Sequence, residues 1–187
     1  MNKKFTIYIV LGTMLFSLAQ VSVAAPVQWT LASGGNGHWY DEIDFCETWT
    51  SSNADAQNQI FNGMLGHLAT ITSAEENAFI WANLSANKRW LGGFKTGADW
   101  NWVTGEDFTF TNWAPVEPNN LGGYENFLQF TPDNMLGNWN DNDNNGYLSG
   151  IDVGYVVEFA PVPLPAAAWL FGSALGLLGW MRRKQSV

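Results

Sequence analysis

The chain has 187 residues, of which 47% are hydrophobic and 15% aromatic, with 11 Trp, one Cys and a formal net charge of −9; this length suits one ordinary domain plus targeting segments. All 17 acidic residues lie between Asp41 and Glu158, and Lys88, Arg89 and Lys95 are the basic residues among them, so this middle part carries −14. Such a surface repels nucleic acid and anionic lipid head groups, which excludes both as partners, but suits a divalent cation or a neutral polyol.

The first 24 residues have the composition of a secretory signal peptide. Lys3 and Lys4 form a basic start, residues 5–19 are uncharged, and small residues surround Ala24. A 15-residue core is short for a transmembrane helix, which is the alternative interpretation. We therefore expect an exported protein that is cleaved after Ala24.

The next segments predict a hairpin and a helix. Apolar and polar residues alternate over 27–33 and 38–45, on either side of a Gly-rich turn at 34–37, which is typical of two paired strands. A serine at position 51 or 52 would cap a first helix that runs to about Met64.

A second helix and a series of short strands follow. Ser73 and Glu76 form a capping box, which predicts a helix from Ala74 to about Leu84 with an apolar stripe. Two helices followed by many short strands favour an α+β domain over a parallel sheet. Aromatic runs separated by Gly, Asn and Asp predict strands at 89–93, 100–103, 108–113, 126–130, 138–139 and 155–159. The nine Trp residues before the C-terminal tail are expected to fill the core, and Trp113 is the one most worth testing for exposure.

Oxygen-bearing side chains are concentrated between positions 117 and 141. Three carboxylates and two amides, without Cys or His, are hard donors that suit Ca²⁺. Their charge nearly matches that of the ion, and they supply fewer oxygens than the roughly 6–8 that Ca²⁺ takes, so a hydroxyl-rich ligand could complete the shell. The candidate metal ligands are Glu117, Asn119, Glu125, Asn140 and Asp141.

An overlapping pattern offers a second calcium interpretation. Asp141, Asp143, Asn145, Gly146 and Asp152 occupy ligand and glycine positions of an EF-hand loop. That motif needs a helix on each side, whereas the flanking residues here are typical of strands.

An enzymatic function finds little support in the sequence. His38 and His67 are the imidazoles of the chain, and Cys46 has no His near it in sequence. Glu117 and Glu125 could mimic a glycosidase pair, but a shared calcium ion would keep both carboxylates ionised. We expect no catalytic residues.

The C-terminal tail predicts one membrane-spanning helix. No residue between Glu158 and Arg182 is charged, and about 20 apolar residues suffice to span a bilayer. The stretch opens on Val162, Pro163, Leu164 and Pro165 and is followed by Arg182, Arg183 and Lys184, a basic cluster that favours the cytoplasmic side.

Residues 27–160 resemble a C-type lectin domain. Glu117-Pro118-Asn119, the later Glu125 and the sequence Trp139-Asn140-Asp141 resemble the sugar-binding loop of that family. The stretches 66–71, 73–77 and 90–93 are similar to its central helix and the following strand, and 155–159 is similar to its last strand. The resemblance implies a C-type lectin-like fold with two helices, short antiparallel strands and a long calcium-binding loop.

The resemblance also implies roles for the oxygen donors. Glu117, Asn119, Glu125 and Asn140 would contact both Ca²⁺ and two sugar hydroxyls, and the Glu117–Pro118 bond would be cis. The Glu-Pro-Asn order favours mannose-like sugars over galactose. One strong calcium site is expected, because Asn120 and Asn126 stand where acidic residues often form an auxiliary site.

Cysteine usage departs from the animal members of the family, which carry two conserved disulfides. Cys46 is the one Cys of this chain, Phe127 stands at one of the expected Cys positions and Val157 stands near another. Apolar packing must therefore replace cross-links that are each worth about 2–4 kcal/mol. Cys46 is expected to be a partly buried free thiol, with pairing between molecules as the alternative.

The tail resembles the PEP-CTERM type of sorting signal, which an exosortase reads in Gram-negative bacteria. The motif here is Val162 to Pro165 without the usual Glu, and Arg182 and Arg183 supply the Arg-rich end. The sequence thus predicts a bacterial surface protein that binds neutral carbohydrate or exopolysaccharide through calcium. The alternative is an adhesion or matrix module that binds protein, with calcium only structural.

Overall fold

The computed structural model describes residues 25–45, 48–84, 86–131, 137–146 and 154–161. The predicted signal peptide, Cys46 and the predicted membrane span with its sorting motif lie outside these residues. The expectations for them remain predictions from the sequence.

The described chain forms two helices and nine short strands. The helices are α1 (Trp49–Ala56) and α2 (Ala74–Asn83), and short 3₁₀ helices lie at Leu31–Ser33 and Leu121–Gly123. The strands are β1 (Val27–Gln28), β2 (Trp39–Ile43), β3 (Ile60–Phe61), β4 (Met64–Leu68), β5 (Trp90–Thr96), β6 (Asp99–Trp102), β7 (Phe127–Phe130), β8 (Trp139–Asn142) and β9 (Tyr155–Phe159). The α+β prediction is confirmed.

The last strand organises the sheet. The strand order is β1-β2-β9-β5-β7-β8, with β4 also paired to β9 and β6 to β5. Pairing is antiparallel throughout these strands except between β9 and β5, where Trp90 meets Tyr155 in parallel. The N-terminal hairpin was predicted correctly, although β1 is shorter than expected.

The first helix differs from the prediction at both ends. It is capped by Thr48, whose hydroxyl accepts the Ser51 amide at 3.1 Å, and it ends at Ala56 rather than near Met64. The predicted second half instead forms the β3–β4 hairpin. Asn62 and Gly63 both have positive φ there, which is the two-residue turn that Asn-Gly favours between apolar strands.

The second helix confirms its predicted start. Ser73 Oγ accepts the Glu76 amide at 3.1 Å, as expected of a capping residue. The Glu76 carboxylate does not return to the Ser73 amide, however. Its Oε2 accepts the amide of Thr72 at 2.7 Å, because Oε1 is held by Tyr40 at 2.6 Å on the buried side of the helix.

Aromatic residues fill two adjoining cores. One core centres on Trp139 and Tyr40 and the other on Trp90 and Tyr155. The nine Trp residues of the domain are all buried or half-buried, so the prediction that they fill the core is confirmed. The predicted strand at 108–113 is wrong apart from a single bridge between Trp113 and Trp139, since its Phe residues pack on Trp139 instead of pairing in the sheet.

Candidate functional site

The predicted ligands come from one loop and one strand. Residues 114–126, called the Glu117 loop below, form the second part of the connection from β6 to β7 and carry Glu117, Asn119 and Glu125. Strand β8 carries Asn140 and Asp141 and pairs with β7. The chain therefore returns to the loop at the point where β7 begins, and the Glu117–Pro118 peptide bond is cis.

Asp141 is the centre of the contacts in the Glu117 loop. It is fully buried, and its Oδ1 and Oδ2 accept the backbone amides of Asn119 at 3.0 Å and Asn120 at 2.9 Å. The Asn119 amide also donates to Glu117 Oε2 at 3.0 Å, and Asn119 Nδ2 donates to Glu117 Oε1 at 2.8 Å. These contacts bring Glu117, Asn119 and Asp141 together from positions more than twenty residues apart.

Glu125 joins the same group from the other end of the loop. Its side chain is only 3% exposed, and Oε2 accepts the Leu121 amide at 2.6 Å. Its own amide donates to Asn120 Oδ1 at 3.1 Å. Asn120, whose amide side chain was the reason to expect no auxiliary calcium site, thus connects Asp141 to Glu125.

The electrostatics of the loop favour a cation. Burial raises the pKa of Glu117, and the neighbouring Asp141 raises it further while the Asn119 amide lowers it. Burial also raises the pKa of Glu125. The hydrogen bond from the Leu121 amide lowers this pKa in part, and the negative charges of Asp141 and Glu117 raise it further. The carboxylates therefore repel one another, and a divalent cation among them would remove that repulsion.

The donor chemistry fits calcium. Each carboxylate oxygen has two lone pairs, so an amide hydrogen bond leaves one free for an ion. Asn140 is half-buried, and its Nδ2 donates to the Asp141 carbonyl at 2.6 Å, so it contacts the group through the backbone of Asp141. Glu117, Asn119, Glu125, Asn140 and Asp141 are the residues that would hold Ca²⁺.

Comparisons with known proteins identify the family. The model of the lectin C-type domain matches residues 47–149, which is more than half of the chain. The chain belongs to the C-type lectin domain family.

Two relatives and one structure show the extent of the likeness. Rat asialoglycoprotein receptor 1 is 32% identical over 126 residues, covering 64% of this chain and 40% of the receptor. Halomucin of Haloquadratum walsbyi is 29% identical over 158 residues, covering 71% of this chain and 2% of halomucin. This chain therefore matches less than half the length of either relative.

The crystal structure of the C-type lectin CEL-I from Cucumaria echinata superposes with a TM-score of 0.57 at 22% identity. It covers 67% of this chain, and this chain covers 91% of CEL-I. The likeness establishes the C-type lectin fold, as predicted.

The lectin domain also presents apolar side chains on the Glu117 loop that the sequence analysis did not consider. Val116, Leu121 and Tyr124 are exposed. The Tyr124 ring lies over Gly122, where a Cβ would come within 2.3 Å of the ring. Gly122 has a φ of +73° as well, so glycine is needed for this arrangement. The signal available in the sequence was the apolar character of these residues within an otherwise polar loop.

The EF-hand interpretation does not fit the lectin domain. Asp141 lies within strand β8, and the Asp143 and Asn145 backbones form a tight turn directly after it. An EF-hand requires a helix at this place. Asp152 lies outside the described residues.

A second group of carboxylates is buried beside α2. This group, called the His38 network below, consists of His38, Tyr40, Glu76 and Glu158. The Tyr40 hydroxyl lies within hydrogen-bonding distance of both carboxylates. One side-chain nitrogen of His38 and one carboxylate oxygen each of Glu76 and Glu158 lie within 4.8 Å of one another. His38 Nδ1 is 2.5 Å from Glu158 Oε1, and the Thr70 amide donates to Glu158 Oε2 at 2.9 Å.

The His38 network satisfies its acceptors with donors of the same chain. The Glu158 hydrogen bond raises the pKa of His38 against the opposing effect of burial. Burial raises the pKa of Glu76, which the Tyr40 hydroxyl lowers in part. Because imidazole, hydroxyl and amide donors occupy the carboxylate oxygens, this group fastens the N-terminal hairpin to α2 and β9.

The described part of the chain contains no helix long and apolar enough to cross a membrane. The span predicted from the tail, with the sorting residues Val162 to Pro165, Arg182 and Arg183, lies beyond residue 161 and outside this finding.

Proposed function

We propose that this domain binds neutral carbohydrate through a calcium ion held by Glu117, Asn119, Glu125, Asn140 and Asp141. The supporting observation is that three mutually repelling carboxylates, two of them buried, converge where the Glu117 loop meets strand β8. Among the described residues, the hydrogen bonds they accept come from backbone and side-chain amide N–H groups, which carry no charge. A group of this kind is stabilised by a hard divalent cation. The bound ion would supply vacant coordination positions for two sugar hydroxyls.

The same residues would set the sugar specificity. Glu117 accepts and Asn119 can both accept and donate, so the pair offers acceptor and donor groups in a fixed order around Pro118. We expect this order to favour mannose-type sugars with vicinal equatorial hydroxyls. The exposed Leu121 and Tyr124 side chains would contact the apolar face of the sugar ring.

The cellular setting follows from the two ends of the chain. The signal peptide predicts export, and the tail predicts sorting by an exosortase and at least transient anchoring by one helix at the cell surface. A single exposed site would bind a monosaccharide near millimolar, about 4 kcal/mol. Many anchored copies would raise avidity toward a polymer, and exopolysaccharide is the proposed partner.

The test is calcium-dependent retention on immobilised mannose. Wild type is expected to bind in calcium and elute in EDTA, Asp141→Ala to lose binding, and Asn119→Asp to lose mannose because the side chain at 119 can no longer donate. Asp99→Asn is the matched control, since it removes an exposed carboxylate in β6 that is not one of the proposed ligands. Equal retention with calcium and with EDTA would reject the mechanism.

A protein-binding adhesion or matrix module is the second candidate. It is favoured by the exposed Val116, Leu121 and Tyr124 on the same loop, because exposed apolar patches mark protein interfaces as well as sugar sites. In that case calcium would only order the loop. A glycan array separates the two functions: calcium binding without any glycan signal supports the second.

A further inference from the structure

Three exposed aliphatic side chains lie away from the Glu117 loop. Leu31, Ile60 and Leu65 are 76%, 68% and 62% exposed, and together they are called the end surface below. Leu31 belongs to the turn between β1 and β2, and the other two belong to the β3–β4 hairpin.

Both segments flank the C-terminal end of β9. Phe159 pairs with Trp39 at the start of β2 and with Gly66 in β4. The β1–β2 turn therefore lies beyond Phe159 on the β2 side of β9. On the β4 side, Leu65 lies one residue beyond Gly66, the last residue of β4 that pairs with β9. The chain leaves the domain here, toward the apolar segment that begins at residue 162.

The β3–β4 hairpin has two apolar faces. Phe61 and Met64 form one cross-strand pair and pack against the core around Phe159, whereas Ile60 and Leu65 form the other pair and point outward. A hairpin with one solvated face normally carries polar residues there. An outward aliphatic pair indicates a second apolar environment.

The charge distribution supports the same conclusion. Residues 25–40 and 56–74, which contain the end surface, include no Asp, Glu, Lys or Arg. The middle of the chain otherwise carries 17 acidic residues. Asn58, Gln59 and Asn62 adjoin Ile60 in sequence and tolerate an interface without the cost of desolvating a charge. The carboxylate of Asp55 accepts hydrogen bonds from Gln59 and from the Tyr155 hydroxyl.

We propose that the end surface rests on the outer leaflet of the bilayer that holds the predicted C-terminal helix, with Leu31, Ile60 and Leu65 inserted among zwitterionic lipid head groups. The inference rests on the anchoring part of the proposed function. Since the tether holds the domain at the bilayer, three aliphatic side chains are sufficient to fix its orientation. Anionic lipid is disfavoured by the acidic remainder of the domain.

The experiment measures lipid depth in the full chain, reconstituted in phosphatidylcholine nanodiscs. A nitroxide is attached at Leu31→Cys or Leu65→Cys in a Cys46→Ser background, and Leu121→Cys on the Glu117 loop is the matched exposed control. The depth of each nitroxide is measured from its collision rates with oxygen, which concentrates in the bilayer, and with a water-soluble nickel chelate. We expect the labels at 31 and 65 to lie about 5–10 Å inside the interface and the label at 121 to lie in water.

Each other outcome overturns the inference in a distinguishable way. If the chain enters the nanodisc and the nickel chelate collides with the label at 65 as often as with the label at 121, the end surface lies in water. That result refutes the orientation but not the membrane anchor. Protection at 65 from both reagents indicates contact with a second copy rather than lipid. A chain that does not enter nanodiscs refutes the anchor and this orientation together.

Discussion

The Glu117 loop and the His38 network both gather carboxylates, yet the groups that neutralise these carboxylates differ. In the His38 network, imidazole, hydroxyl and amide donors of the chain take the oxygens of Glu76 and Glu158. In the Glu117 loop, the carboxylates of Glu117, Glu125 and Asp141 receive backbone and amide hydrogen bonds, and burial together with the neighbouring Asp141 raises the pKa of both Glu117 and Glu125. The imidazole and the tyrosine hydroxyl are donors that the His38 network has and the Glu117 loop lacks among the described residues. Donor identity, rather than carboxylate number, therefore separates the structural cluster from the proposed cation site.

The largest expected effect is on the His38 network. Glu158→Ala should lower the free energy of unfolding by about 3–5 kcal/mol, because it leaves His38 and the buried Thr70 amide without their acceptor. Urea denaturation measures the loss. Calcium affinity of the folded variant should stay at the wild-type value, and a matching loss of calcium binding would contradict the separation of the two regions.

The complementary change is in the Glu117 loop. Asp141→Asn should weaken calcium binding by about 100-fold or more, since it removes a charge at the centre of the ligand group. Isothermal titration calorimetry checks the affinity, with Asp99→Asn as the control. Without calcium, two effects oppose each other in the variant. The repulsion among the carboxylates is reduced, but the Asn side chain has one acceptor oxygen and leaves either the Asn119 or the Asn120 amide without its acceptor at position 141.

Acid should act on the Glu117 loop through proton competition. Calcium needs ionised carboxylates, and the pKa values of Glu117 and Glu125 are raised by burial and by neighbouring acidic groups. Calcium affinity should therefore fall as the pH drops through these raised values, by about tenfold per pH unit for each proton displaced. Titrations over a pH series measure the slope, and an unchanged affinity down to the ordinary glutamate pKa would contradict the shifts.

Alkali should have a smaller effect on the His38 network. The folded state raises the pKa of His38 above 6.5, so its contribution to stability is complete below that value and is lost as the pH rises through the folded pKa. Calcium-free wild type should thus lose stability over this window, and His38→Gln should show a flatter profile. Parallel profiles for the two proteins would remove His38 as the cause.

The sequence predicted the grouping of the oxygen donors better than the local fold around them. Glu117, Asn119 and Glu125 could be proposed as ligands because their spacing along one loop is itself a motif, and Ser73 could be assigned as a helix cap because a cap acts within one turn of helix. The end of α1 was missed although Asn62-Gly63 between apolar residues is a strong hairpin signal. The strand expected at 108–113 failed because its Phe residues fill the core around Trp139, which alternation alone does not reveal.

The sequence by itself determined the order of donors, the charge of the domain and the apolar character of its ends, since these depend on residue identity and short-range spacing. Only the tertiary structure decided that Asn120 links Asp141 to Glu125, that His38 meets Glu158 across 120 positions, and that Leu31 and Leu65 flank the same strand end. Such contacts depend on strand register and packing between distant segments, which no local pattern encodes.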